Sequence, residues 1–226
     1  MESHWNVEIE YKHVERFEPG SSESVAYLDQ HGYVILKETL TTKEAEKTLN
    51  LLWDYLENLG TGIDRNDPHT WEDDRWPTSA HGGILPSYGI GHSESQWFLR
   101  SIPNVKKAFA KIWGTDELLT SFDGVSLWRP WNINPSWKTE SGQSWFHIDQ
   151  HPITRPGKQC IQGLVNLLPT SQDIGGNVVV PGSHRFFENI PSEYKERLAK
   201  LPLGIDHFRF PNDDPKLSSE KPLMCH

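Results

Sequence analysis

Cysteine is scarce: the 226 residues hold two, Cys160 and Cys225. They can form one bridge at most, which excludes a disulfide-stapled secreted scaffold, and no paired-cysteine spacing offers a zinc site. Neither thiol sits in a basic motif of the kind that makes a cysteine reactive. Positive charge is also short, with 22 Lys and Arg against 31 Asp and Glu and a formal charge of −9. That balance argues against a nucleic-acid binder or a polybasic membrane-surface protein. No apolar run is long enough to cross a bilayer. Met1 to Glu18 mixes charged and polar side chains without the apolar stretch of a signal peptide. The default expectation is a cytoplasmic protein.

What is present suits one globular domain. Hydrophobic residues make up 35% of the chain, and 10 Trp point to a tightly packed interior or an aromatic-lined pocket. Residues 1–23 are polar and read as a flexible lead-in, leaving 24–226 as a single domain. Ser24 to Gln30 reads as a short helix with Ser24 as N-cap, stopped at His31-Gly32, with a short buried strand from Tyr33 to Leu36. Thr41-x-x-Glu44 is a capping box, and Ala45, Leu49, Leu52, Trp53, Leu56 and Leu59 follow at helical spacing, with Gly60 as C-cap. This stripe is the clearest helix signal in the chain and reads as packing. Residues 60–96 form a long Gly-, Pro-, His- and Trp-rich segment. Its embedded Trp71, Trp76 and Tyr88 favour a partly packed lid over a free insertion, and His69, His81 and His92 read as loop residues. A helix is expected over 103–113, with Pro103 in its first turn and Gly114 as its stop.

From Leu118 the period changes. Strands are expected over 119–129, at the central His147 segment, over Cys160 to Leu168, and at Asn177 to Val180. A short helix is expected over Glu193 to Lys200, and Asn212 to Lys221 reads as loop. Helices followed by short strands predict an α+β chain ending in a β-sandwich or jelly roll.

The chemistry concentrates in Trp145-Phe146-His147-Ile148-Asp149-Gln150-His151. On a strand, His147 and Asp149 share one face while Phe146 and Ile148 take the other. An imidazole and a carboxylate so placed supply two ligands of a 2-His-1-carboxylate metal site. The competing reading is a buried His satisfied by its neighbouring Asp. A helical reading would pair His147 with His151 instead, but Pro152 and the aromatic, β-branched flank favour a strand.

Further on comes Gly175-Gly176-Asn177-Val178-Val179-Val180-Pro181-Gly182-Ser183-His184-Arg185. A His-x-Asp strand, a Gly-rich turn, an apolar strand and a Pro-Gly-Ser-His turn, in this order, resemble the phytanoyl-CoA dioxygenase-like family of Fe(II)/2-oxoglutarate oxygenases. The front is similar too, with a Gly-Tyr-Val strand within Gln30 to Leu36 and a capped helix after it. The resemblance spans 24–190. It implies a double-stranded β-helix with flanking N-terminal helices. It also implies Fe(II) held by His147 and Asp149, 2-oxoglutarate as co-substrate, O₂, and hydroxylation of a small organic or lipid-like substrate. Asn134, on the turn before the motif, and Gln162, on the next expected strand, are the candidate co-substrate contacts; either could instead satisfy buried backbone groups. His184 is expected to anchor its turn rather than bind metal.

The family pattern continues with a Gly-Asp turn, a distal His and a 2-oxoglutarate-binding Arg, and neither residue is recognisable here. His207 and Arg209 lack the preceding turn, and His226 is the last residue. The expectation is a chain lacking its last core strands, with two metal ligands and exposed sheet edges. Two other readings stay open: a non-catalytic binding protein that keeps the shell, and a cupin-like metalloenzyme completed by His184 or His226.

Overall fold

The computed structural model describes residues 13–79, 83–137, 146–171, 176–202, 204–211, 214–219 and 222–225. His81, Gly142, Trp145, Gly175, Asn212 and His226 lie outside the described residues.

The first strand, β1 (Arg16–Phe17), lies inside the stretch read as a lead-in and pairs in parallel with β2 (Ile35–Leu36). Phe17 is held there by the Tyr27 ring, 4.9 Å away. Between the two strands runs α1 (Ser22–His31). Its cap is Ser21, whose hydroxyl accepts from the Ser24 amide at 3.1 Å, three residues before the expected cap. Gly32, at φ 78°, ends the helix as expected.

The helix α2 (Thr42–Glu57) starts on the capping box read from sequence. Thr41 Oγ1 accepts from Glu44 N at 3.3 Å, and the Glu44 carboxylate accepts from Thr41 N at 2.8 Å. The helix closes at Asn58, and Gly60 sits in the turn that follows. Arg65 folds back onto the last turn and donates to Glu57 at 2.7 Å and to Asp54. Trp71 donates its indole N–H to Asp64 O at 2.8 Å and stacks near Trp53, with Trp76 completing the cluster. The aromatic half of the long segment is therefore packed on α2, as the embedded tryptophans implied.

Next come β3 (Ile84–Leu85), α3 (Glu94–Ser101), α4 (Pro103–Trp113) and β4 (Val125–Ser126), which pairs antiparallel with β3. The sequence reading passed over α3. Its signal is Ser93-x-x-Gln96: the Ser93 hydroxyl accepts from Gln96 N at 3.3 Å. Pro103 opens α4 and Gly114, at φ 67°, closes it, as expected. Leu52, Leu56, Leu85 and Ile90 form the buried centre of this helical half, with Trp53, Trp76 and Val125 packed around them.

The rest of the chain supplies β5 (His147–Ile148), β6 (Asn177–Val179), α5 (Ile190–Glu193), α6 (Lys195–Leu198), β7 (Phe208–Arg209), α7 (Pro215–Ser219) and β8 (Leu223–Cys225). β5 pairs antiparallel with β7, and β6 with β8. Val180, Ile190, Leu198, Phe208, Phe210 and Leu217 make a second core, with Phe146 and Ile148 packed against it. The segment read as loop after Asn212 thus carries α7.

Two expected strands change. The 119–129 strand reduces to Val125–Ser126. Cys160 to Leu168 forms no strand, and Leu164 and Leu168 stand 50% and 62% exposed. A run of apolar residues becomes a strand only when its backbone N–H and C=O groups find a partner edge, and no described residue pairs with this one. Among the described residues helices mix with short strands, and the strands form four two-stranded sheets. No described helix is long and apolar enough to cross a membrane.

The two halves meet at the end of α1. Gly182 N donates to His31 O at 2.7 Å and Arg185 to Gln30 O at 2.5 Å. His184 Nε2 lies 3.0 Å from Asp29 O, and because a carbonyl only accepts, that nitrogen carries the proton. The Pro-Gly-Ser-His-Arg turn thereby caps the unsatisfied carbonyls of α1's last turn.

Candidate metal centre

Alternation along 146–149 divides the side chains as a strand requires. Phe146 and Ile148 pack into the second core, and Ile148 lies opposite Phe208, which is fully buried. His147 and Asp149 take the other face, with His147 Nε2 3.4 Å from Asp149 Oδ1. Opposite His147 in the ladder is Arg209, and one step along the same register His207 comes alongside Asp149. The sequence reading set both aside because no Gly-Asp turn precedes them. The signal was the alternation His207-Phe208-Arg209-Phe210, a period of two that marks a strand with one polar face.

Asp149 is held below the usual carboxylate range. The hydrogen bond from His147 is the largest cause; partial burial opposes it, and the Gln162 amide and the His147 and His207 charges add to the lowering. Gln162 Nε2 donates to Asp149 Oδ2 at 2.6 Å. Gln162, a candidate co-substrate contact, thus reaches the site and touches the candidate ligand Asp149.

Asn134 is engaged elsewhere. Its amide N–H groups point at the Glu72 carboxylate, at 3.3 and 3.4 Å, and its Oδ1 accepts from Ser136 N and Oγ at 3.0 and 2.8 Å. That is the geometry of an Asn holding its own turn. His184 is bound to α1, as described above. His69 and His92 are exposed, and His92 stacks on Phe122 at 4.1 Å.

The donor set can be tested against a metal by geometry. One nitrogen and one carboxylate oxygen 3.4 Å apart can both reach a single ion at about 2.1 Å, the length of such bonds. The pair therefore fits as two neighbouring ligands. Among the described residues no group of three or more His, Cys, Asp or Glu side chains converges on one point.

No family profile and no solved structure matches the chain. Curated proteins do. It is 32% identical to "Ava biosynthesis cluster protein O" of Aspergillus versicolor over 167 residues, which is 74% of this chain and 52% of that protein. It is 25% identical over 216 residues to a Dictyostelium discoideum protein named "Putative phytanoyl-CoA dioxygenase", covering 80% of this chain and 60% of that one. The chain thus spans 52% and 60% of the length of these two relatives. The similarity supports a dioxygenase-family resemblance.

Proposed function

We propose that the chain carries the His-x-Asp part of a non-haem Fe(II)- and 2-oxoglutarate-dependent dioxygenase that hydroxylates a small organic or lipid-like substrate. The observation that carries the reading is the convergence of His147 Nε2 and Asp149 Oδ1 on one strand face whose reverse is locked into the core. The similarity to the Dictyostelium discoideum protein supports the same class. In this reading β5 is a strand of a double-stranded β-helix.

Iron, when bound, would supply open positions for the keto acid and O₂ and the oxidising chemistry. The chain's own residues have narrower tasks. His147 would supply Nε2 after giving up the proton it directs at Asp149, and Asp149 would supply one carboxylate oxygen. Phe146 and Ile148, packed into the second core, fix the face from which both side chains leave the strand. A carboxylate is ionised near neutral pH, as a ligand must be.

The test is anaerobic Fe(II) titration of the chain with and without 2-oxoglutarate, watching for the weak visible charge-transfer band of a chelated keto acid. The band is expected in the wild type and absent in His147→Ala. Absence of iron binding by the wild type removes the reading. A second reading, a non-catalytic binding protein on the same shell, is favoured by the lack of a third converging ligand among the described residues. Iron binding without consumption of 2-oxoglutarate would select it.

A further inference from the structure

Asp149 uses its two oxygens differently. Oδ1 faces His147 Nε2 at 3.4 Å, while Oδ2 accepts a 2.6 Å hydrogen bond from Gln162 Nε2. The Asp149 side chain is 40% exposed, so packing alone does not fix its carboxylate plane. An amide N–H on Oδ2 does. It adds no positive charge that would repel a cation, as a Lys or Arg partner would, and keeps the second oxygen from turning towards the same ion as the first.

The approach of Gln162 is built into the chain. Gln150, directly after Asp149, is 8% exposed and works as a clasp. Its amide N–H groups donate to Arg155 O and Gly157 O, both at 2.6 Å, and its Oε1 accepts from Gln159 N at 3.2 Å. His151 Nδ1 accepts from Ile153 N and Thr154 N, both at 3.2 Å, and tightens the start of the same loop. The loop leaves β5, turns through Gly157 at φ 75°, and returns with Gln162 against the carboxylate it left behind.

We infer that Gln162 is a positioning residue: it orients the Asp149 carboxylate so that a single oxygen, Oδ1, is presented beside His147. The inference rests on the metal reading above and adds the partner that tunes it. Ligating carboxylates are commonly held this way, and losing such a partner typically costs about 10–100-fold in metal affinity.

The experiment uses Co(II) as a spectroscopic probe, titrated anaerobically into the wild type, His147→Ala, Gln162→Met and Gln162→Asn. Met matches the length of Gln without a donor; Asn keeps the amide on a shorter arm. Gln162→Met is expected to bind Co(II) about 10–100-fold more weakly than the wild type, with a shifted visible band and an unchanged thermal midpoint. Gln162→Asn is expected to recover part of the affinity. If the wild type binds Co(II), His147→Ala loses it, and Gln162→Met keeps wild-type affinity and spectrum, the positioning role is overturned while the metal reading stands. If the wild type binds no Co(II), both fall together.

Discussion

The two halves of the molecule use opposite means to reach the same end. The helical half, α1 to α4, is built from segments that announce themselves: hydroxyl caps at Ser21, Thr41 and Ser93, glycine stops at Gly32 and Gly114, and an apolar stripe on α2. Its core is a helix-face core around Leu52 and Leu56. The half that holds the candidate site has strands of two or three residues and helices of one turn, and its core is gathered around Phe208 and Phe210. In the first half local signals nearly suffice. In the second, each short element depends on a distant partner: His147 on Arg209, Val178 on Met224, Asp149 on Gln162.

The sharpest way to probe this contrast is to empty one core at a time. Phe208 is fully buried between the Tyr194 and Phe210 rings, at 5.2 and 5.1 Å. Phe208→Ala is expected to cost about 3–5 kcal/mol in urea unfolding and to weaken Co(II) binding as β5 loses its partner. Leu56→Ala, at a position 1% exposed, is expected to cost about 2–5 kcal/mol. It should move the helical circular-dichroism transition more than the metal affinity. Equal loss of both signals in both variants would show one cooperative unit and erase the contrast.

The seam comes next. A Cβ at Gly32 would lie 2.3 Å from His184 Nδ1 in a left-handed backbone that favours glycine. Gly32→Ala is expected to cost more than about 1 kcal/mol by thermal melting. His184→Ala, which removes one hydrogen bond to Asp29 O, is expected to cost about 0.5–1.5 kcal/mol and to leave Co(II) affinity unchanged. A drop in affinity would return His184 to the list of ligands. Within the helical half, Thr41→Ala removes the cap of α2 and is expected to cost about 1 kcal/mol by the same measurement.

The smallest effect is electrostatic. Hydrogen bonding to Arg65 holds the Glu57 carboxyl at about 2, against an ordinary value of 4.5. A lowered folded-state value contributes stability that is complete above the ordinary value and is lost as pH falls towards the folded one. The melting difference between the wild type and Arg65→Ala is therefore expected to be small at pH 6, because water reaches the partly exposed pair and screens it, and to vanish between pH 4.5 and pH 2. A difference that grows on acidification would refute the pairing.

Legibility followed the same divide. The capping box at Thr41, the Pro103 start of α4 and the packed face of α2 were readable because helix signals are local in sequence. So was the division of 146–149 into a packed face and a face bearing His147 and Asp149, since alternation is a property of the strand itself. The expected strand at Cys160 to Leu168 was misread because its apolar run had no described edge to pair with. The engagement of Asn134 with Glu72 was invisible because 62 residues separate them.

The start of α2, both ends of α4 and the pairing of His147 with Asp149 on one face were legible in the chain alone, because capping and alternation are decided by residues within a few positions of each other. What surrounds His147 and Asp149 was settled by contacts far apart in the chain. The tertiary structure set Arg209 across from His147, brought His207 alongside Asp149, closed the Gln150 loop so that Gln162 meets the carboxylate, and tied His184 to α1. Those neighbours are fixed by ladder register and loop closure, and neither is written in any short stretch of chain.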